Sequence, residues 1–88
     1  MKTVWLDGRL FEDLRSVYEY LDAMMGFPDH FGYNLDALHD YLTEIGEKTE
    51  IIVTYVNDLL SMKKGGVLLR VLDDSADENP FLRVLKIY

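Results

Sequence analysis

The 88-residue chain has no cysteine, which excludes disulfides and thiolate metal sites and fits a reducing, cytoplasmic setting. Proline occurs twice and glycine six times, and neither is gathered into a linker or a low-complexity tract. No stretch approaches the roughly 18 consecutive apolar residues of a membrane-spanning helix. The opening Met1-Lys2-Thr3-Val4-Trp5-Leu6-Asp7 meets a charge too soon after its short apolar run to be a secretory signal. Cations are scarce as well. Nine Lys and Arg stand against sixteen Asp and Glu, a formal charge of −7. Without clustered Lys and Arg the chain cannot grip phosphates, so direct binding of nucleic acid is not expected. A basic partner suits it better, because opposite fields steer encounter, although solubility alone makes many proteins acidic. A nucleotide loop is missing too: Gly65-Gly66 lacks the spaced glycines and the Lys-Ser/Thr pair. Ser16, Ser61 and Ser75 have neither an elbow nor a neighbouring base.

What remains is 49 % apolar and 12 % aromatic, enough for one compact domain over residues 1–88. Thr3–Leu6 reads as a strand closed by an Asp7-Gly8 turn. Leu14, Val17, Tyr18, Leu21 and Met25 keep one face of a helix from about Glu12 to Met25, punctuated by Gly26 and Pro28. An aromatic loop, Phe27–Tyr33, leads into a second helix that Gly46 ends. Ile51-Ile52-Val53-Thr54-Tyr55-Val56 is nearly continuous and β-branched, the pattern of a central strand covered on both sides. Asn57 is placed to cap a short helical piece broken at Gly65-Gly66. Leu68, Val71, Leu72 and Ser75 then share the inner face of another helix, with Arg70, Asp73 and Asp74 outside. Asp77–Pro80 is a polar connection, and Phe81–Tyr88 is a last strand whose Arg83 and Lys86 suit a sheet edge. The order β-α-α-β-α-α-β implies an α/β fold with a small three-stranded parallel sheet packed with helices.

The second helix carries the chemistry. Asn34 is a good N-cap, and Leu35, Leu38, Leu42 and Ile45 form its apolar back. Asp36, Asp40 and Thr43 fall opposite, with His39 on the flank. Like charges at i and i+4 cost an isolated helix about 0.2–0.5 kcal/mol, and Asp is a poor interior helix former. A solvated face that happens to hold two Asp accounts for this pattern as readily as a binding face does. His30, Asp36, His39 and Asp40 also contain the residue types of a general base or a zinc site. Their spacing matches no metal motif, so neither an enzyme, a bound metal nor a cofactor is expected. Phe31 reads as a core plug fixing the loop, while Tyr33 could be core or contact. Aromatic and imidazole rings beside carboxylates have the make-up of a protein-binding hot spot.

The run Phe27–Thr43, F-P-D-H-F-G-Y-N-L-D-A-L-H-D-Y-L-T, resembles the signature of the barstar family, intracellular inhibitors of barnase-type ribonucleases. Asn34-Leu35-Asp36-Ala37-Leu38 and Asp40 match that signature at its spacing, as do Pro28 and Gly32. The resemblance implies a three-stranded parallel sheet and a non-enzymatic inhibitor, monomeric when free. Its second helix and preceding loop would close a basic nuclease active site with carboxylates in place of RNA phosphates. Asp40 then takes the principal contact position, Asp36 the other helix carboxylate, Thr43 a peripheral contact and Asp74 a further acidic one. His30, Tyr33, Asn34 and His39 complete the expected contact set. His30 stands where the family has a tyrosine and His39 where it has a tryptophan, a departure that points away from barnase itself. The alternative is an immunity or other protein-binding module of the same fold with a different partner. With both histidines in the contact patch, protonation near pH 6 would set positive charge against a basic target and weaken binding.

Overall fold

The computed structural model describes all 88 residues. Strand β1 (Lys2–Asp7) runs into a 3₁₀ turn (Gly8–Leu10), followed by helices α1 (Leu14–Met25) and α2 (Leu35–Thr43). Strand β2 (Thr49–Thr54) leads to helices α3 (Val56–Leu60) and α4 (Gly65–Glu78), and β3 (Leu82–Ile87) closes the chain. The strands lie in the order β1-β2-β3, both pairs parallel, with Val4, Ile51 and Val84 in one row and Trp5, Ile52 and Leu85 in the next. The expected α/β fold and element order are the observed ones.

Local chemistry sets most boundaries. Asp13 caps α1 in a capping box: its carboxylate accepts from the Ser16 N–H at 2.9 Å, and Ser16 Oγ accepts from the Asp13 N–H at 3.4 Å. The helix therefore begins at Leu14, two residues later than periodicity alone places it. Gly26 ends it at φ 70°, ψ 62°, the left-handed conformation that costs glycine nothing. Helix α2 stops at Thr43, short of Ile45. The Thr43 hydroxyl turns back to donate to the carbonyls of His39 and Asp40, and the Glu44 N–H bonds three residues back, to Tyr41, tightening the last turn.

Two expectations about the middle of the chain are corrected. Asn57 caps nothing: Tyr55 occupies the cap position at φ 51°, ψ 51°, so that the fully buried Val56 can begin α3 directly after β2. Gly65-Gly66 separates the two helices as expected, but as the first two residues of the second one. A Cβ on Gly65 would lie 1.7 Å from the Leu59 carbonyl oxygen, so only glycine lets α4 press against the end of α3.

The third correction concerns β2. It is central, but helices cover only one of its faces. Right-handed crossovers, the rule for parallel strands, put both connections of a β1-β2-β3 sheet on the same side. Burial agrees: Val4, Leu6, Ile51, Val53 and Leu82 join Val17, Leu21, Leu38, Leu42, Leu68 and Leu72 in one core. The alternate positions Trp5, Ile52, Leu85 and Ile87 lie outside it. Ile52 is buried only between its row neighbours, and that protection makes β2 read as covered on both sides. The edge position of β3 is as expected, with Lys86 paired to Asp73 of α4 and Arg83 to Glu50 of β2.

Gly65→Ala is expected to cost at least about 3 kcal/mol, at the upper end for overpacking. In Gly66→Ala the new methyl meets nothing closer than Leu60 Cδ2 at 3.8 Å, so that variant should be neutral or up to about 1 kcal/mol more stable. Urea denaturation of the two side by side checks this, and equal midpoints would contradict it.

Candidate functional site

The loop from Gly26 to Asn34 is built around its aromatic side chains. Phe27 and Phe31 are buried and stack at 4.1 Å between centroids, with Tyr41 edge-on to Phe27 at 4.7 Å and Tyr18 edge-on to Phe31 at 6.1 Å. Phe31 is thus the plug its pattern suggests. Asp22, on α1, fastens both ends of the loop: one carboxylate oxygen accepts from the Phe27 N–H at 3.0 Å, the other from the Tyr33 hydroxyl at 3.2 Å. Tyr33 has φ 49°, unusual for a side chain of that size. Its ring packs edge-on to Phe31 and under the Arg15 guanidinium, 5.0 Å from the centroid. Partial burial and then the Asp22 carboxylate raise the Tyr33 phenol above its ordinary pKa, which keeps it a neutral donor. With Phe31 inward, His30 is left exposed beside Pro28, Asp40, Tyr41 and Glu44 in one shallow cleft.

Asn34 starts α2 as expected. Its Oδ1 accepts from the Ala37 N–H at 2.7 Å and its Nδ2 donates to the Gly32 carbonyl at 3.1 Å, so the side chain is spent on placing the helix. Leu38 and Leu42 are fully buried, and Leu35 and Ile45 pack partly against the same core. The far end is held by Asn79, which is buried. Its Nδ2 donates to the carbonyls of Leu42 and Ile45, both at 2.9 Å, while its Oδ1 accepts from the Phe81 N–H at 3.0 Å. The polar connection after α4 is therefore a C-terminal clamp on α2, satisfying a carbonyl that the helix cannot bond for itself.

Asp36, Asp40 and Glu44 follow one another at four-residue steps along the outer face. No ion pair takes Asp36, although Arg15 and Lys64 share a shallow cleft with it. The Asp40 side chain is 82 % exposed, and its one charged neighbour is His39 Nδ1 at 3.9 Å. Both carboxylates are exposed, and neither is paired with a Lys or Arg. Thr43, half-buried, continues the face but has committed its hydroxyl proton to the helix.

His39 faces the other way, onto α4. Its Nε2 lies 2.6 Å from Glu78 Oε2, and Asp74, one turn earlier on α4, adds its charge. The hydrogen bond to Glu78, and beyond it the fields of Glu78, Asp40 and Asp74, raise the His39 pKa above its ordinary value, against some desolvation. His39 therefore bridges two helices rather than standing free in the contact patch. Asp74 is exposed on α4 beside it. Sequence reasoning had no means to find Glu78, Asp22 or Asn79, because each acts on a residue eleven or more positions away. No three His, Asp or Glu side chains converge as a metal site, and no helix is long and apolar enough to cross a membrane.

The class defined by this arrangement is an α/β scaffold that holds an acidic helix face exposed to solvent. The whole chain carries the corresponding family pattern: residues 1–85 match the model of Barstar (barnase inhibitor). The chain belongs to the barstar family, whose members are inhibitors and not enzymes. It is also 44 % identical over 43 residues to a Bacillus subtilis (strain 168) protein named "Putative ribonuclease inhibitor YrdF". That match spans 49 % of this chain and 47 % of the other, about half of each.

A histidine whose pKa is raised on folding stabilises the fold fully below its unfolded value near 6.5, and the gain is lost as pH rises through the folded value. For a pair this exposed, about 0.5 kcal/mol is expected, or about 2–4 °C in Tm between the native chain and Glu78→Gln at about pH 6. The gap should close as the pH rises through the raised folded value and the imidazole discharges. Thermal unfolding of both proteins across that range checks it, and a pH-independent gap would remove the charged pair from the account.

Proposed function

We propose that this chain inhibits a barnase-type ribonuclease by closing its active site with α2 and the loop before it. Such a site stabilises negative charge on a phosphodiester, so it is lined with Arg, Lys and His. Asp36 and Asp40 meet those cations in place of RNA phosphates, about 6 Å apart along the helix axis at 1.5 Å per residue. Bidentate Arg–carboxylate bonds desolvated within an interface are strong, and truncating one partner there is costly. Asp74 adds a further acidic contact from α4, while His30, Tyr33 and Thr43 border the patch. Asn34 and His39 act by position, one setting the start of α2 and the other tying it to α4. The observation that carries this reading is that Asp36 and Asp40 stand exposed, with no Lys or Arg paired to either, on a helix anchored at both ends.

A second reading, the same face seated on a partner other than a barnase, is favoured by one feature. The imidazole of His39 is turned onto Glu78, so the flank of α2 offers no ring for a partner to stack on.

Asp40→Ala is expected to weaken binding to a barnase-type ribonuclease by at least about 2 kcal/mol, roughly thirtyfold in Kd. Its circular dichroism should be unchanged and its stability equal or higher by about 0.2–0.5 kcal/mol, since a like-charge pair is relieved. RNase protection at stoichiometric inhibitor, with calorimetric titration of both proteins, tests this. An Asp40→Ala protein that still protects RNA at equimolar amounts would refute the role of the face. Binding without protection would favour the second reading.

A further inference from the structure

Resting on the inhibitor reading above, we propose that Asp22 and Tyr33 are positioning residues: their hydrogen bond holds the loop before α2 in the shape that meets the nuclease. Each residue breaks a local rule where it stands. Asp22 lies in the last turn of α1, where the negative end of the helix dipole disfavours a carboxylate. Tyr33 is left-handed at φ 49°, a conformation that glycine or asparagine adopts at less cost than a bulky side chain. The two penalties meet in one bond, from the Tyr33 hydroxyl to the Asp22 carboxylate at 3.2 Å. That bond is exposed, so it adds little to stability beyond what water already offers both groups. Local rules broken without a matching gain in stability mark residues kept for function.

The geometry shows what the bond controls. One Asp22 oxygen accepts from the Phe27 N–H at the loop's entry, and the other from the Tyr33 hydroxyl at its exit. Within that closure the Phe31 N–H donates to the Pro28 carbonyl at 2.9 Å, and His30, between them in sequence, is exposed. Asn34, the cap of α2, follows Tyr33 directly. Were Tyr33 to relax to a right-handed or extended backbone, the chain would enter Asn34 from another direction. His30 would then leave the cleft that it shares with Asp40. The Tyr33 ring is held separately, by Tyr18, Phe31 and the Arg15 guanidinium, so removing the hydroxyl alone leaves that packing in place. A loop that visits other shapes binds only from its competent fraction, and the apparent Kd rises by the inverse of that fraction.

Calorimetric titration of a barnase-type ribonuclease with the native chain and its variants tests this, alongside amide hydrogen exchange on the free proteins. Tyr33→Phe and Asp22→Ala should each weaken Kd about three- to tenfold. Together they should weaken it no more than Asp22→Ala alone, because the hydroxyl acts through Asp22. Asp22→Asn loses the same charge but can still accept from Phe27 and donate to the Tyr33 oxygen, so its Kd should stay within about twofold of native. In the free proteins the Phe31 amide, whose bond to Pro28 involves neither residue, reports closure of the loop. It should exchange at least about fivefold faster in Tyr33→Phe and Asp22→Ala, but not in Asp22→Asn. Should Asp22→Ala fail to fold, Tyr33→Phe against Asp22→Asn still decides. Additive losses would mean that the hydroxyl touches the nuclease itself, and they overturn the positioning role. Asp22→Asn binding as weakly as Asp22→Ala overturns it too, by assigning the effect to charge, and so does unchanged exchange at Phe31. A native chain that binds no such nuclease overturns the inhibitor reading and the affinity claim with it, while exchange at Phe31 still decides whether the bond holds the loop.

Discussion

The seating of α2 is the constraint on which the rest of the molecule depends. Its outer face works against it, since carboxylates repeat every four residues and two aspartates sit where a helix prefers other residues. That penalty is about 0.2–0.5 kcal/mol for a like-charged pair. Burial of Leu38 and Leu42, both fully inaccessible, contributes about 3–6 kcal/mol by area. Packing outweighs repulsion by roughly tenfold, so the helix can display charge it could not tolerate alone. The clamp from Asn79 adds direction to that energy. By taking the carbonyls of Leu42 and Ile45, it fixes where the helix ends and so how the aspartates are aimed.

Rigidity at the other end comes from the aromatic loop. Phe27, Phe31 and Tyr41 fill the space beneath it, and the two oxygens of Asp22 close it like a buckle. The left-handed Tyr33 is tolerated because its hydroxyl and both sides of its ring are held. A loop so restrained has little conformational freedom left to lose.

Charge divides the molecule into two sides. The helical side collects unanswered carboxylates, and the bare sheet face answers each of its own with an arginine. His39 belongs to neither. Its bond to Glu78 places a titrating link between α2 and α4, next to the acidic patch but turned away from it. Protonating it strengthens the bond to Glu78 while reducing the negative field around α2.

Much of this was legible in the residues themselves. The β-α-α-β-α-α-β order, the Asn34 cap, the Gly26 stop, the edge character of β3, and the split of α2 into an apolar back and an acidic front all follow from short-range rules. Those rules act over one or two turns, the same range as the patterns that reveal them. The signature from Phe27 to Thr43 likewise pointed to the family matched by residues 1–85. What only the tertiary structure decided was long-range: that β2 is covered on one side, that His39 reaches Glu78, that Asp22 buckles the loop, that Asn79 is buried, and that Gly65 opens a helix. A run of β-branched residues cannot distinguish shelter under a helix from shelter between neighbouring strands. Nor can a polar residue's type reveal whether a carbonyl thirty-odd positions away needs it. Such partnerships are made by chain crossing, and local composition carries no record of them.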